Sequence, residues 1–87
     1  MQVLYAGRVQ GVGFRYTAKS VANGFIVVGV VKNLPDGRVE LIAEGEKPEL
    51  EEFRSAIRDS GVRHFIETEQ VQWTEATGEY RGFEIVS

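Results

Sequence analysis

The sequence has no cysteine, which excludes disulfide bonds, thiol catalysis and thiolate metal sites. It also has no apolar run long enough to cross a bilayer, since the longest extends only from Phe25 to Val31. The first residues do not combine a basic stretch with a following apolar one, so no signal peptide is expected. These absences predict a cytoplasmic protein with no membrane partner.

An overall excess of positive charge is also absent, which argues against nucleic acid as a partner. The net charge at pH 7 is −3, from 10 Lys and Arg residues against 13 Asp and Glu residues. The charge is divided unevenly, because residues 1–43 carry a net +3 and residues 44–87 carry a net −6. The basic first half is still compatible with binding of a small anion.

The length and hydrophobic content of the chain suffice for one domain. Of the 87 residues, 43% are hydrophobic, which is enough for a single core without support from metals or disulfides. No repeat, low-complexity tract or linker divides the chain. We therefore predict one domain over residues 1–87, and a monomer is the expectation for a chain of this size.

The hydrophobic pattern predicts alternating strands and helices. In the second predicted helix, for example, Leu50, Phe53 and Ile57 are spaced to share one face, and Pro48 stands at its start. Strands are predicted at residues 2–6, 25–32, 38–43, 71–75 and 83–86, and helices at residues 14–23 and from residue 48 to the glycine at 61.

This order predicts an α+β fold, a ferredoxin-like two-layer sandwich. It reads β-α-β-β-α-β with a short extra C-terminal strand, and the two helices must cover one face of an antiparallel sheet. Trp73 and Phe83 are expected in the core, and the glutamate-rich face of the second helix is expected to be solvated. His64 is the only histidine and no acidic cluster accompanies it, so we expect it at the surface and expect no metal site.

A glycine-rich segment, GRVQGVGFR from Gly7 to Arg15, occupies the turn between the first strand and the first helix. Helix N-termini present unpaired N–H groups, and glycines let such groups curve around an anion. Arg15, in the first helical turn, is placed to pair with phosphate or carboxylate oxygens. A glycine-rich turn with a surface arginine is the other interpretation that the residues leave open. Dinucleotide and Walker-type loops are not indicated, because Tyr16 replaces the third glycine of G-x-G-x-x-G and no G-K-[ST] occurs.

Asn33 begins a second notable segment, NLPDG, whose proline and glycine predict a hairpin turn. In a β-α-β unit the first two strands run parallel, so Asn33 and the start of the first helix are expected at the same edge of the sheet. Its amide does not titrate near pH 7 and would position a water molecule without deprotonating it. A capping role within the turn remains the alternative.

Together the two motifs resemble those of the acylphosphatase family: GRVQGVGFR is followed, eighteen residues after Arg15, by NLPDGRVE. The resemblance covers essentially the whole chain. It implies a small ferredoxin-like enzyme that hydrolyses acyl phosphates to a carboxylate and inorganic phosphate, with no metal or cofactor and a small-molecule acyl phosphate as its only partner. It also implies that Arg15 is the phosphate-binding catalytic residue and that Asn33 orients the attacking water. The implied phosphate cradle is the backbone N–H groups of Gln10, Gly11, Val12, Gly13, Phe14 and Arg15.

Three positions depart from the family pattern. An aromatic residue usually follows the glycine of the second strand, where this chain has Val30, and a threonine usually stands where it has Ala18. The leucine-glycine pair usual at the helix end is replaced by Phe25-Ile26. By the resemblance, these three changes affect residues that support Arg15 and Asn33, and they leave Arg15 and Asn33 themselves unchanged. We therefore expect them to alter the turnover rate more than the class of reaction.

The sequence also offers signals for two rival functions. The segment from Arg81 to Ile85 partly matches a signature of RNA-recognition domains, but Glu84 and the net acidity oppose RNA binding. The other rival is a binding or regulatory domain that keeps the acylphosphatase fold, as in the N-terminal domain of carbamoyl-transfer proteins of hydrogenase maturation. No zinc-finger cysteines follow before Ser87, so a free-standing enzyme is the expectation.

Overall fold

The structure, a computed structural model, describes residues 1–86; Ser87, the last residue of the expected domain, lies outside the described residues. Strands and helices alternate as the hydrophobic pattern predicts. The elements are β1 (Gln2–Gly7), α1 (Phe14–Ala22), β2 (Val28–Asn33), β3 (Val39–Glu44), α2 (Lys47–Arg58), a short 3-10 helix (Arg63–Phe65), β4 (Ile66–Gln72) and β5 (Phe83–Ile85). In residues 1–86 neither α-helix is long and apolar enough to cross a membrane.

The five strands form one sheet in the order β4-β1-β3-β2-β5. All three pairings among β1, β2, β3 and β4 are antiparallel, which confirms the ferredoxin-like arrangement. The short extra strand, whose direction the sequence did not predict, is β5, and it runs parallel to β2. The segment between β4 and β5 crosses from one edge of the sheet to the other. There β5 pairs with β2 and points the same way. The sheet is therefore mixed.

The core lies between one face of this sheet and the two helices. Successive strand residues alternate, so that Val3, Tyr5 and Leu41 are fully buried while their neighbours along the strands are only partly covered. The helices contribute the apolar positions of their predicted inner faces, and Phe53 contacts the ring of Phe83 edge-on at a centroid distance of 5.4 Å. Phe83 is thus a core residue, as predicted.

Trp73, in contrast, was wrongly predicted to lie in the core. Its side chain is 41% exposed, and the ammonium nitrogen of Lys47 lies 4.9 Å from the centre of the indole ring. The residue follows the end of β4, beyond the strands that the helices cover. His64 is exposed, as expected, and so are Glu51 and Glu52 on the outer face of α2.

The start of β4 was predicted five residues too late and its end three residues too late, because its inward position is occupied by a carboxylate. Glu69 is only 10% exposed at its side chain and is paired with two arginines of α2. Arg58 Nη2 lies 2.6 Å from Glu69 Oε2, and Arg54 Nη1 lies 3.6 Å from Glu69 Oε1. Charge pairing replaces apolar burial here, so the alternation that marks a strand is lost from the sequence.

Glu44, at the end of β3, holds the connection between β4 and β5. Its buried carboxylate accepts hydrogen bonds from the N–H of Thr77 at 2.8 Å, from the Thr77 hydroxyl at 2.9 Å and from the N–H of Gly78 at 3.1 Å. The N–H of Thr77 is the main cause that holds the pKa of Glu44 below its ordinary value of 4.5. The ionised carboxylate is therefore favoured by folding.

We expect Glu44→Gln to lower the free energy of unfolding at neutral pH by an amount that shrinks in acid. Because the pKa is lower in the folded chain, the carboxylate stabilises the fold above about pH 4.5 and loses this contribution as the pH falls through the folded pKa. Urea unfolding of both proteins across this range measures the difference. The exposed Glu46→Gln is the control, and a deficit for Glu44→Gln that does not change with pH would contradict the prediction.

Candidate active site

The loop between β1 and α1 bends through two glycines with left-handed backbone conformations. Gly11 has a φ of 78° and Gly13 a φ of 81°, a region that other residues adopt only with strain. Gly13 is also the residue before α1, and no side chain of residues 1–86 caps the first N–H groups of that helix. Open N–H groups at the positive end of a helix favour an anion.

A cavity of about 230 Å³ opens at this helix start. The structure thereby brings together Arg15 and Asn33, the two side chains singled out in the sequence, although eighteen residues separate them. Gln10 and Val12, which belong to the expected backbone cradle, do not line the cavity. The residues that line it are Val9, Gly11, Gly13, Phe14, Arg15, Tyr16 and Asn33.

The topology of the sheet explains why Arg15 and Asn33 lie at the same cavity. Both β1 and β2 are antiparallel to β3, which lies between them, so they run parallel to each other as predicted. Their C-terminal ends therefore lie at one edge of the sheet. The loop that leads into α1 leaves from the end of β1, and Asn33 is the last residue of β2.

The cavity is lined by one cation and by no carboxylate. Arg15 is half-buried, and none of the ion pairs within residues 1–86 involves its guanidinium. The lining also includes two uncharged polar residues, Asn33 and Tyr16. An uncompensated positive charge beside a helix N-terminus makes this cavity suited to an anion.

Residues 1–86 contain no group of three or more His, Asp or Glu side chains that could hold a metal ion. The polar groups at the cavity are instead an arginine, an asparagine, a tyrosine and backbone N–H groups. This set can bind phosphoryl oxygens and can hold a water molecule, which are the two requirements for hydrolysis of an acyl phosphate.

The departures from the family pattern lie outside the cavity. Ala18 is fully buried in the core face of α1, and Val30 is half-buried beside Ile42 and Glu84 on the flanking strands. Phe25 packs against the core, and Ile26 is 83% exposed. The predicted start of β2 at residue 25 was wrong because Phe25 still donates its N–H to Ala22 at the end of α1.

Sequence reasoning missed the side chain of Gln10. Its amide nitrogen reaches from the loop to the hairpin between β2 and β3, donating to the carbonyl oxygens of Leu34 at 2.8 Å and Arg38 at 2.9 Å. The partners are 24 and 28 residues away, so no local pattern indicates the contact.

Comparison with known proteins gives consistent results. A family model described as acylphosphatase matches residues 1–85. An acylphosphatase of Roseiflexus sp. (strain RS-1) is 42% identical over 84 residues, which are 97% of this chain and 90% of the relative. One from Thermus thermophilus is 43% identical over 82 residues, which are 94% of this chain and 92% of the relative.

Solved structures agree. The crystal structure of acylphosphatase from Bacillus subtilis matches with a TM-score of 0.89 and 35% identity, covering 99% of this chain and 96% of that one. The structure of HypF from T. kodakarensis matches with a TM-score of 0.83 and 28% identity, over 99% of this chain but only 11% of that one. The family match and the curated relatives span nearly the whole length, and the chain belongs to the acylphosphatase family.

Proposed function

We propose that the protein hydrolyses acyl phosphates to a carboxylate and inorganic phosphate, without a metal, at the cavity where α1 begins. Membership of the acylphosphatase family supports the reaction. One observation supports the assignment of residues: Arg15 and Asn33 line the same cavity at the N-terminus of α1, and no carboxylate lines that cavity.

In this proposal the phosphoryl group is bound by charge and by the backbone. The Arg15 guanidinium donates two hydrogen bonds to phosphoryl oxygens, a geometry that arginine forms readily. The N–H groups from Gln10 through Gly11, Val12, Gly13 and Phe14 to Arg15 form the remaining cradle. Positive charge that is already oriented stabilises the transition state without reorganisation, which is the main requirement of phosphoryl transfer.

The attacking water is held by the Asn33 amide on the side of phosphorus opposite the leaving group. A bond forms from the water oxygen to phosphorus while the bond from phosphorus to the acyl oxygen breaks, and the carboxylate leaves with the electron pair. A carboxylate with a pKa of about 4 needs no general acid. The proton of the water passes to a phosphoryl oxygen, because Asn33 is not a base and the cavity lining offers no carboxylate.

The proposal extends to a monomeric, cytoplasmic protein that acts on a small molecule and has no nucleic-acid partner. The net charge of −3 supports the last point, because polyanions repel such a surface. A second candidate is a binding or regulatory domain that keeps the acylphosphatase fold, because this chain also matches one part, 11% of the length, of HypF.

Hydrolysis of benzoyl phosphate in excess chelator tests the proposal. We expect the same kcat/KM with and without the chelator, because Arg15 and backbone N–H groups supply the positive charge that a metal supplies elsewhere. An alkyl phosphate ester is the control substrate and is expected to be inert, since its alkoxide is a poor leaving group. Activity that chelation abolishes and a divalent cation restores would contradict the metal-free mechanism. Binding of phosphate without turnover would favour the second candidate.

A further inference from the structure

Gln10 connects the two segments that carry the proposed catalytic residues. Its half-buried side chain extends from the loop before α1 to the hairpin that follows Asn33. The amide nitrogen donates to Leu34 O at 2.8 Å and to Arg38 O at 2.9 Å, so both of its hydrogens are used.

The two acceptors stand at the base of the hairpin. Leu34 donates its N–H to Arg38 O at 2.8 Å, and Gly37 donates its N–H to Leu34 O at 3.1 Å. Each carbonyl therefore accepts one hydrogen bond within the hairpin and one from Gln10. Because Leu34 follows Asn33 directly, this contact lies one residue from the proposed water-binding amide.

We propose that Gln10 is a positioning residue that fixes the distance between the phosphate-binding loop and Asn33. The inference rests on the proposed function. The loop contains Gly11 and Gly13, whose backbones have more conformations to lose than any other residue. A doubly bonded side chain restrains that loop relative to the hairpin, and a displacement of about 1 Å between reacting groups can lower a rate about a hundredfold.

The carbonyl pair also explains why the residue is an amide of this length. Glutamate would bring a carboxylate against two carbonyl oxygens, and asparagine would be one methylene shorter. Gln10→Met keeps the approximate length and removes both donors, so it breaks the connection without introducing charge. Gln2 provides a matched control, since its half-buried amide donates to Glu40 Oε2 at 2.7 Å and the residue does not line the cavity.

The test is a double-mutant cycle with Gln10→Met and Asn33→Ala, using benzoyl phosphate as substrate and inorganic phosphate as competitive inhibitor. We expect Gln10→Met to lower kcat about tenfold or more, because a misplaced water attacks phosphorus less often in the productive geometry. The inhibition constant of phosphate should stay near that of the wild type. In the Asn33→Ala background the further loss from Gln10→Met should nearly vanish, since the residue that Gln10 positions is already absent.

Three outcomes would overturn the inference, and they can be told apart. Equal losses from Gln10→Met in both backgrounds would show that it does not act through Asn33, and the proposed function would stand. An unchanged kcat for Asn33→Ala would reject the water-binding role and this inference together. No turnover by folded wild type would reject the proposed function itself. Urea unfolding of each variant, with Gln2→Met as the stability control, shows whether a loss of kcat merely follows a loss of folded protein.

Discussion

Replacing Arg15 with alanine is expected to lower kcat/KM for benzoyl phosphate by roughly a hundredfold to a thousandfold. Removing one oriented donor from a developing anion costs about 3–4 kcal/mol of transition-state stabilisation, and each 1.36 kcal/mol is about tenfold in rate. Arg15 is the only cation in the cavity lining of the described chain, so no neighbouring side chain there can replace its charge.

The stability of the Arg15→Ala variant is expected to remain close to that of the wild type. Arg15 is half-buried, and within residues 1–86 it takes part in no ion pair that the substitution would break. Circular dichroism and urea unfolding therefore check that the loss of activity belongs to the reaction and not to the fold.

Two further variants distinguish the charge from its geometry. Arg15→Lys keeps a positive charge but loses the planar pair of donors, so we expect activity between those of the wild type and Arg15→Ala. Arg8→Ala removes an exposed arginine of the same loop that does not line the cavity, and no measurable change is expected at physiological ionic strength. An Arg8→Ala loss as large as that of Arg15→Ala would indicate a general electrostatic effect and would contradict the assignment.

Much of the fold could be predicted from local sequence patterns. The inner faces of α1 and α2 follow from residues three, four and seven positions apart, and Leu50, Phe53 and Ile57 are all buried as the spacing predicts. The hairpin after Asn33 follows from turn chemistry. The start of the first helix was predicted at Phe14 and lies there, immediately after the left-handed Gly13.

Contacts between distant segments explain what could not be predicted. Strand β4 was misplaced because Glu69 occupies its inner position, and only the α2 arginines, eleven and fifteen residues earlier, make a carboxylate acceptable there. Gln10 lies in a recognisable motif, yet its partners are in another turn of the chain. The family motif indicated Arg15 and Asn33, whereas the bond that fixes the distance between their segments became visible only in three dimensions.

Asn33→Ala is expected to lower kcat about a hundredfold with little change in KM, because placing water in line with phosphorus acts on the transition state more than on binding. Phosphate inhibition should be nearly unchanged, since Arg15 and the backbone N–H groups of the loop remain. The substitution should not strain the backbone, because Asn33 is in a strand and no residue other than glycine has a positive φ within residues 1–86.

Steady-state kinetics with Asn33→Asp and Asn23→Ala complete the experiment. Asn33→Asp keeps the size of the side chain but adds a negative charge beside the phosphoryl group, so it should impair phosphate binding as well as kcat. Asn23 is an exposed asparagine after α1, away from the cavity, and its replacement should leave both constants unchanged. If Asn33→Ala instead raised KM and left kcat intact, the amide would be a ligand of the substrate and not of the water. The attacking water would then have to be held by another polar residue of the cavity lining, and Tyr16→Phe would be the next variant to measure.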